Sequence, residues 1–241
     1  MYLILMRLIY GLSRSGKNPT DMGTVHKEVR FRIYEGFAKY GAPPTPEDLA
    51  RDTSLTISEI QTVLQELATT RNIVINEHYR ILMAHPFSSI PLGFSVMGTS
   101  TLWWGGCAWD SFALPNLLST EVVVATTCLN CSQSHSWRVD PNTPPQGQQI
   151  AHFLIPTSRM WDDVIHTCGN QRIFCDEICL KKWLESSGND FGYSMDLKIL
   201  WNLSRTWYEG RLNYEYERRE PSAALDYFKS VGLSGEFWGM K

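Results

Sequence analysis

The chain lacks any apolar run long enough to cross a bilayer. Its apolar opening, MYLILMRLIY at residues 1–10, falls well short of the ~20 residues a membrane-spanning helix needs. No basic stretch precedes it and no small-residue cleavage site follows, which argues against a signal peptide. It is expected to be a helix packed on the body, and the protein to be cytoplasmic with no membrane partner. There is no excess of basic charge either: 22 Lys+Arg against 25 Asp+Glu gives a net charge of −3, so nothing general favours nucleic acid as a partner. There is no internal repeat and no low-complexity run. Cysteine is absent from residues 1–106 and 180–241; all six lie between Cys107 and Cys179. In a cytoplasmic chain such cysteines read as thiols, metal ligands or catalytic groups before they read as disulfides.

What is present is an ordinary core-forming composition, 43% hydrophobic and 20% charged, with nine tryptophans that suggest a bulky aromatic core or an aromatic-lined pocket. The length of 241 residues fits one large domain, or a small domain before a larger one. VHKEVRFRIYEGFAKYG has apolar residues at helical spacing and stops at Gly41. TPEDLARDT starts a second helix, with Thr45 as N-cap, Pro46 at the first position, and Glu47 and Asp48 at the positive helix start. In LTISEIQTVLQELATTR, Thr56 and Glu59 form a capping box and Leu55 can staple to Ile60. NIVINEHYRILMA then alternates like a two-stranded wing. These elements predict a winged-helix domain over residues 1–85. Its third helix carries Glu59 and Glu66 and no basic residue before Arg71, so a scaffold role is preferred to DNA binding.

From residue 86 to 241 the pattern predicts an α+β domain. HPFSSIPL reads as a linker, and GFSVMGTSTLWWGG as a strand. CAWDSFALPNLLS reads as a helix broken or kinked near Pro115. TEVVVATTCLN and SHSWRVDP read as hairpin mates, QIAHFLIP as another strand, and CDEICLKKWLESSG as a helix ending at Gly188. MDLKILWNLSRTWYEG and PSAALDYFKSVGL read as mostly helical.

Four cysteines sort into pairs. Cys128 and Cys131 form a C-x2-C after a strand, and Cys175 and Cys179 a C-x3-C at a helix start. A knuckle after a strand plus a pair on a helix N-terminus is a treble-clef-like arrangement for structural zinc. The alternative is four separate buried cysteines acting as small hydrophobes. His135, His152 and His166 are not assigned as ligands, and Lys181 and Lys182 read as a solvated helix face.

Cys107 and Cys168 remain. Asp110, three residues after Cys107, falls on the same helix face and can carry a proton for a thiol. Cys168 precedes Gly169 and is expected in a turn. Two thiols and a carboxylate suit a soft metal or thiol chemistry. Helix capping by Asp110 and core packing by Cys107 stand as the plainer reading.

These residues resemble a known family. CAWDSFALPNLL is similar to the Cys-Ala-Leu-Asp motif of the alkylmercury (organomercurial) lyases, DVIHTCGNQRIFC resembles the segment bearing that family's second catalytic cysteine, and GLSGEFW resembles its closing element. The order of domains is similar as well. The resemblance implies Cys107, Asp110 and Cys168 as the catalytic set. Trp109 replaces a smaller aliphatic residue, with the expectation that it reshapes the pocket, and Gly169 stands where some members have a further cysteine.

The implied activity is protonolysis of a carbon–mercury bond. Two sulfurs, Cys107 and Cys168, would hold mercury and push electron density toward carbon, while Asp110 protonates the departing carbon among Trp103, Trp104, Trp109 and Phe112. The resemblance implies a small organomercurial as substrate, Hg(II) as bound product, no organic cofactor, cellular thiols as acceptors and a mercury reductase as a partner. Two other readings stay open: non-catalytic sequestration of a soft metal, and a metal-responsive regulator.

Overall fold

Short polar residues open most of the helices. In the computed structural model, which describes residues 23–240, α1 spans Thr24–Tyr40, α2 Pro46–Thr53 and α3 Ile57–Thr69. The expected helix at residues 1–10 lies outside the described residues. Gly41 closes α1 with a left-handed φ of 74°. The Thr45 and Thr56 side chains accept the backbone N–H of Asp48 and Glu59, and both carboxylates accept the threonine N–H in return. Each such cap stabilises its helix by ~1 kcal/mol. The Asp48 box adds a reciprocal contact to the expected Thr45 cap. Val29, Ile33 and Phe37 of α1 meet Ile60, Leu64 and Leu67 of α3 in the main core. Strands β1 (Val74–Ile75) and β2 (Ile81–Ala84) follow as an antiparallel pair.

That pair does not end the sheet. β2 pairs with β3 (Phe87–Ser88), within the segment expected to be a linker, and β3 pairs with β5 (Leu102–Gly105). GFSVMGTSTLWWGG is two strands rather than one: β4 (Phe94–Met97) turns at Gly98, whose N–H donates to the Thr101 carbonyl, and returns as β5. Glycine and hydroxyl residues supply that turn. With β6 (Val122–Thr127) and β7 (Ser134–Val139), the antiparallel sheet runs β1-β2-β3-β5-β4-β6-β7. A second sheet, β10-β8-β9, comprises β8 (Ile150–Phe153), β9 (Gln171–Phe174) and β10 (Tyr193–Asp196).

Helix α4 (Ala108–Leu118) runs on through Pro115. Its residues 108–115 are all buried, so packing on every side holds a turn that has lost one backbone donor. Cys168 lies in a short helix, α5 (Val164–Gly169), not in a turn; the Asp163 side chain caps it by accepting the His166 N–H at 2.9 Å. The remaining helices are α6 (Glu177–Ser187), α7 (Leu197–Arg205) and α8 (Pro221–Ser230). Trp109 of α4 stacks among Phe153, Trp207, Phe228 and Trp238 with ring centroids 4.9–6.2 Å away. These rings come from β8, from the segment after α7, from α8 and from the 3-10 turn Glu236–Trp238, so the tryptophan-rich composition builds an aromatic core around Trp109. No helix among the described residues is long and apolar enough to cross a membrane.

Candidate active site

The site begins where β5 ends. A Cβ on Gly105 would sit 1.9 Å from Ser111 Oγ, and one on Gly106 would sit 2.3 Å from Asp110 Oδ2 and 2.7 Å from Met83 Cε. Two glycines thus let the first turn of α4 fold back against the strand end. Cys107 is the N-cap of α4. Its Sγ accepts the Asp110 backbone N–H at 3.4 Å, and its thiol donates to Asp110 Oδ2 at 3.2 Å. The pair meets through this reciprocal N-cap contact rather than through a shared helix face, because Cys107 stands just outside the helix.

Helix α5 brings Cys168 to the same carboxylate. Its Sγ lies 3.9 Å from Asp110 Oδ2 and 3.5 Å from His85 Nε2. The other oxygen, Asp110 Oδ1, accepts the Tyr208 hydroxyl at 2.5 Å. All five groups are buried. Sequence reasoning missed His85 and Tyr208. Neither carries a spacing signal, since both reach the site only through tertiary packing. Arg211 braces them: its guanidinium lies 4.9 Å from the Tyr208 ring centroid and donates to Tyr34 Oη at 3.1 Å and to the His85 carbonyl at 3.4 Å.

The two thiols differ in proton affinity. The hydrogen bond from Cys107 lowers the Cys168 pKa against the opposing effect of burial, and His85 lowers it further. Burial pushes Cys107 well above the usual thiol range, as do its contacts with Cys168 and the Asp110 charge. Burial opposes protonation of His85, but the charge of Asp110 and the Cys168 contact raise it overall. Burial, and next the Asp110 charge, holds Tyr208 well above its ordinary value, so it remains a phenol donor. Of the two sulfurs, Cys168 is the readier to ionise, and Cys107 holds its proton more tightly, against Asp110 Oδ2.

The aromatic surroundings differ from expectation. Trp109 is taken up by the core cluster rather than by a pocket wall. Trp103 is buried with its indole N–H donating to the Phe37 carbonyl at 2.8 Å, Phe112 packs on Trp137, and Trp104 is partly exposed on the sheet. The ring beside the site is Trp161, whose centroid is 5.6 Å from that of His85. Trp161 also lines a surface groove with Gln65, Ala68, Ile73, Ile75 and Val164. Trp161 is thus shared between that groove and the ring contact with His85.

The paired cysteines form a second cluster. The four Sγ atoms of Cys128, Cys131, Cys175 and Cys179 all lie within 4.8 Å of one another, and none is in a disulfide. His135 Nε2 is 3.3 Å from Cys175 Sγ, a contact that the histidines' spacing did not reveal. His152 is a core residue, and His166, Lys181 and Lys182 are exposed.

The solved structure of the mercury-bound form of MerB2 is similar to this chain, with a TM-score of 0.61 at 18% identity, covering 80% of this chain and 93% of that one. At that identity the likeness shows a shared α+β fold. No curated protein matches the chain in sequence. The family model of MerB, alkylmercury lyase, matches residues 87–209, a span that contains Cys107, Asp110, Cys168 and Tyr208. The chain belongs to the alkylmercury lyase family and is a carbon–mercury lyase.

Proposed function

We propose that the chain cleaves small organomercurials by protonolysis at Cys107, Asp110 and Cys168. One observation carries the assignment: two buried thiols of unlike proton affinity converge on a single carboxylate oxygen, Asp110 Oδ2. The substrate R–Hg⁺ first meets the Cys168 thiolate, which forms a sulfur–mercury bond while His85 balances its charge. Asp110 then takes the Cys107 proton, and the freed sulfur becomes the second mercury ligand. Two soft sulfurs raise the electron density on carbon. Asp110 returns the proton to carbon as the carbon–mercury bond breaks. The hydrocarbon R–H leaves, Hg(II) stays on two thiolates, and Asp110 is again a carboxylate. Tyr208, donating to Oδ1, keeps Oδ2 turned toward the sulfurs. The scheme uses no organic cofactor, and Cys128, Cys131, Cys175 and Cys179 take no part in it.

Because the triad is buried, the Trp161 side must open to admit substrate. Cellular thiols would then draw Hg(II) from the site and pass it to a mercury reductase, in the cytoplasm. Residues up to 85 are read as a winged-helix-like scaffold domain, with residues 86–241 as the lyase domain around a treble-clef-like cysteine core. The acidic Glu59 and Glu66 of α3 favour scaffold over DNA reader. Sequestration alone has no need of Asp110, which is why cleavage is preferred.

The test is anaerobic incubation with excess thiol and a simple organomercurial, following hydrocarbon and bound mercury together. Repeated turnover is expected from the wild type, with none from Cys107→Ser or Cys168→Ser. Asp110→Asn should still bind mercury but cleave ~10²–10⁴-fold more slowly. Near-wild-type cleavage by Cys168→Ser would sink the two-thiol scheme.

A further inference from the structure

We propose that Cys128, Cys131, Cys175 and Cys179 hold one zinc ion in a closed four-thiolate site that staples the β6–β7 hairpin to the corner between β9 and α6. The chemistry above leaves these residues unused, yet the fold brings four separate thiols to one point. Cys131 Sγ lies 3.4 Å from Cys175 Sγ and 3.8 Å from Cys179 Sγ, and all four sulfurs fall within 4.8 Å of one another. Sulfurs placed tetrahedrally at ~2.3 Å from zinc are separated by about 3.8 Å, so the cluster already has the size of a ligand shell.

The backbone is shaped for it. Between β6 and β7 the chain makes a tight knuckle: the Ser132 N–H donates to the Cys128 carbonyl at 2.9 Å, and Ser132 takes a left-handed φ of 60°. On the other side, Cys175 follows the last residue of β9, and Cys179 lies in the first turn of α6, capped by Asp176. Outer partners are in place as well. His135 Nε2 is 3.3 Å from Cys175 Sγ, and the Asn130 amide donates to Cys179 Sγ at 3.5 Å. Both can give an N–H to a metal-bound thiolate, the role such outer contacts have at thiolate sites. Four sulfur ligands leave no open position for substrate, so the ion would be structural.

The local packing needs such a staple. The fully buried residues under this corner are Cys128, Phe174 and Leu180, a satellite cluster separate from the main core. So small an apolar cluster contributes little to fixing the helix above it. The ion also bears on the reaction, and this clause rests on the lyase scheme: β9 runs from just after α5, which carries Cys168, to Cys175, so the staple fixes the strand that follows the second mercury ligand.

The test uses the full chain purified under reducing conditions without added metal, with zinc counted by mass spectrometry. About one equivalent of zinc is expected in the wild type and in Cys107→Ser/Cys168→Ser, falling at least ~10-fold in Cys128→Ser/Cys175→Ser. Should that last variant fail to fold, cobalt(II) exchanged into Cys107→Ser/Cys168→Ser decides the matter. Intense tetrahedral thiolate–cobalt bands are expected, whereas weak octahedral bands would overturn the proposal. So would a zinc-free wild type that takes up no cobalt, a disulfide among the four cysteines in the reduced preparation, or zinc that disappears with Cys107 and Cys168 instead. Failure of the lyase scheme would look different: zinc retained, with no hydrocarbon released.

Discussion

Asp110 shows how much one side chain can be asked to do when its surroundings are built for it. Its two oxygens have separate partners, the thiols on Oδ2 and the Tyr208 hydroxyl on Oδ1. The carboxylate can therefore exchange a proton on one side without losing its orientation on the other. Tyr208→Phe removes the orienting donor and leaves both mercury ligands in place. Cleavage should fall ~10-fold, the equivalent of one lost hydrogen bond to a charged group, with mercury retention unchanged. Single-turnover hydrocarbon release against bound mercury separates the two effects, and parallel loss of both would show that Tyr208 supports the fold instead. Gly106 belongs to the same scale, because any side chain there would enter the space of Asp110 Oδ2.

Elements place these residues by their ends. The N-terminus of α4 sets Cys107 over Asp110, α5 carries Cys168, and the segment after α7 returns Tyr208. The second sheet adds a pH dependence of its own. On β8, His152 Nε2 accepts the Gly192 N–H at 3.1 Å, and burial holds its pKa down to about 4, from an ordinary 6.5. The ring nitrogen that would take the proton already faces a donor. The folded pKa lies below the unfolded one, so the unfolded chain binds the proton first as the pH drops. The contribution of His152 is fully present above about 6.5 and is lost as the pH falls toward about 4. His152→Gln keeps an acceptor for Gly192 without a titrating group. Urea unfolding midpoints measured from neutral to acid pH should fall less steeply in this variant, and an identical slope would remove His152 as a cause.

At the scale of the whole molecule, the helical segment and the lyase chemistry are joined through buried arginines. Arg30 of α1 is fully buried and donates to the Arg211 carbonyl at 2.8 Å and to the Asn213 carbonyl. Arg211 in turn contacts Tyr34 of α1 and the backbone of His85. Arg30→Met keeps the bulk but leaves those carbonyls without their donor, and should cost roughly 2–4 kcal/mol of stability. Denaturant unfolding measures that loss directly; a change within ~0.5 kcal/mol would mean the carbonyls find other partners. The sheet joins the same two parts, since β2 pairs with β3 and so continues from the first hairpin into the strands that lead to Cys107.

The sequence alone determined what depends on neighbours along the chain. Gly41, Thr45, Thr56 and Gly188 mark helix ends because capping is a local hydrogen-bond and backbone matter. The pairing of β6 with β7 was legible from β-branched residues on either side of a turn. The motif around Cys107 and Asp110 stands three residues apart and was legible for the same reason. Tertiary structure decided the rest. His85, Cys168, Tyr208 and Asp110 come from four distant segments, and no period or spacing links them. Trp109 went to the core rather than to the site, because α4 packs on α7 and rings from β8, α8 and the segments after α7 and α8 converge on the indole. Only the folded chain could make one buried cysteine readier to ionise than the other, since that difference comes from which charges and donors packing brings beside each sulfur.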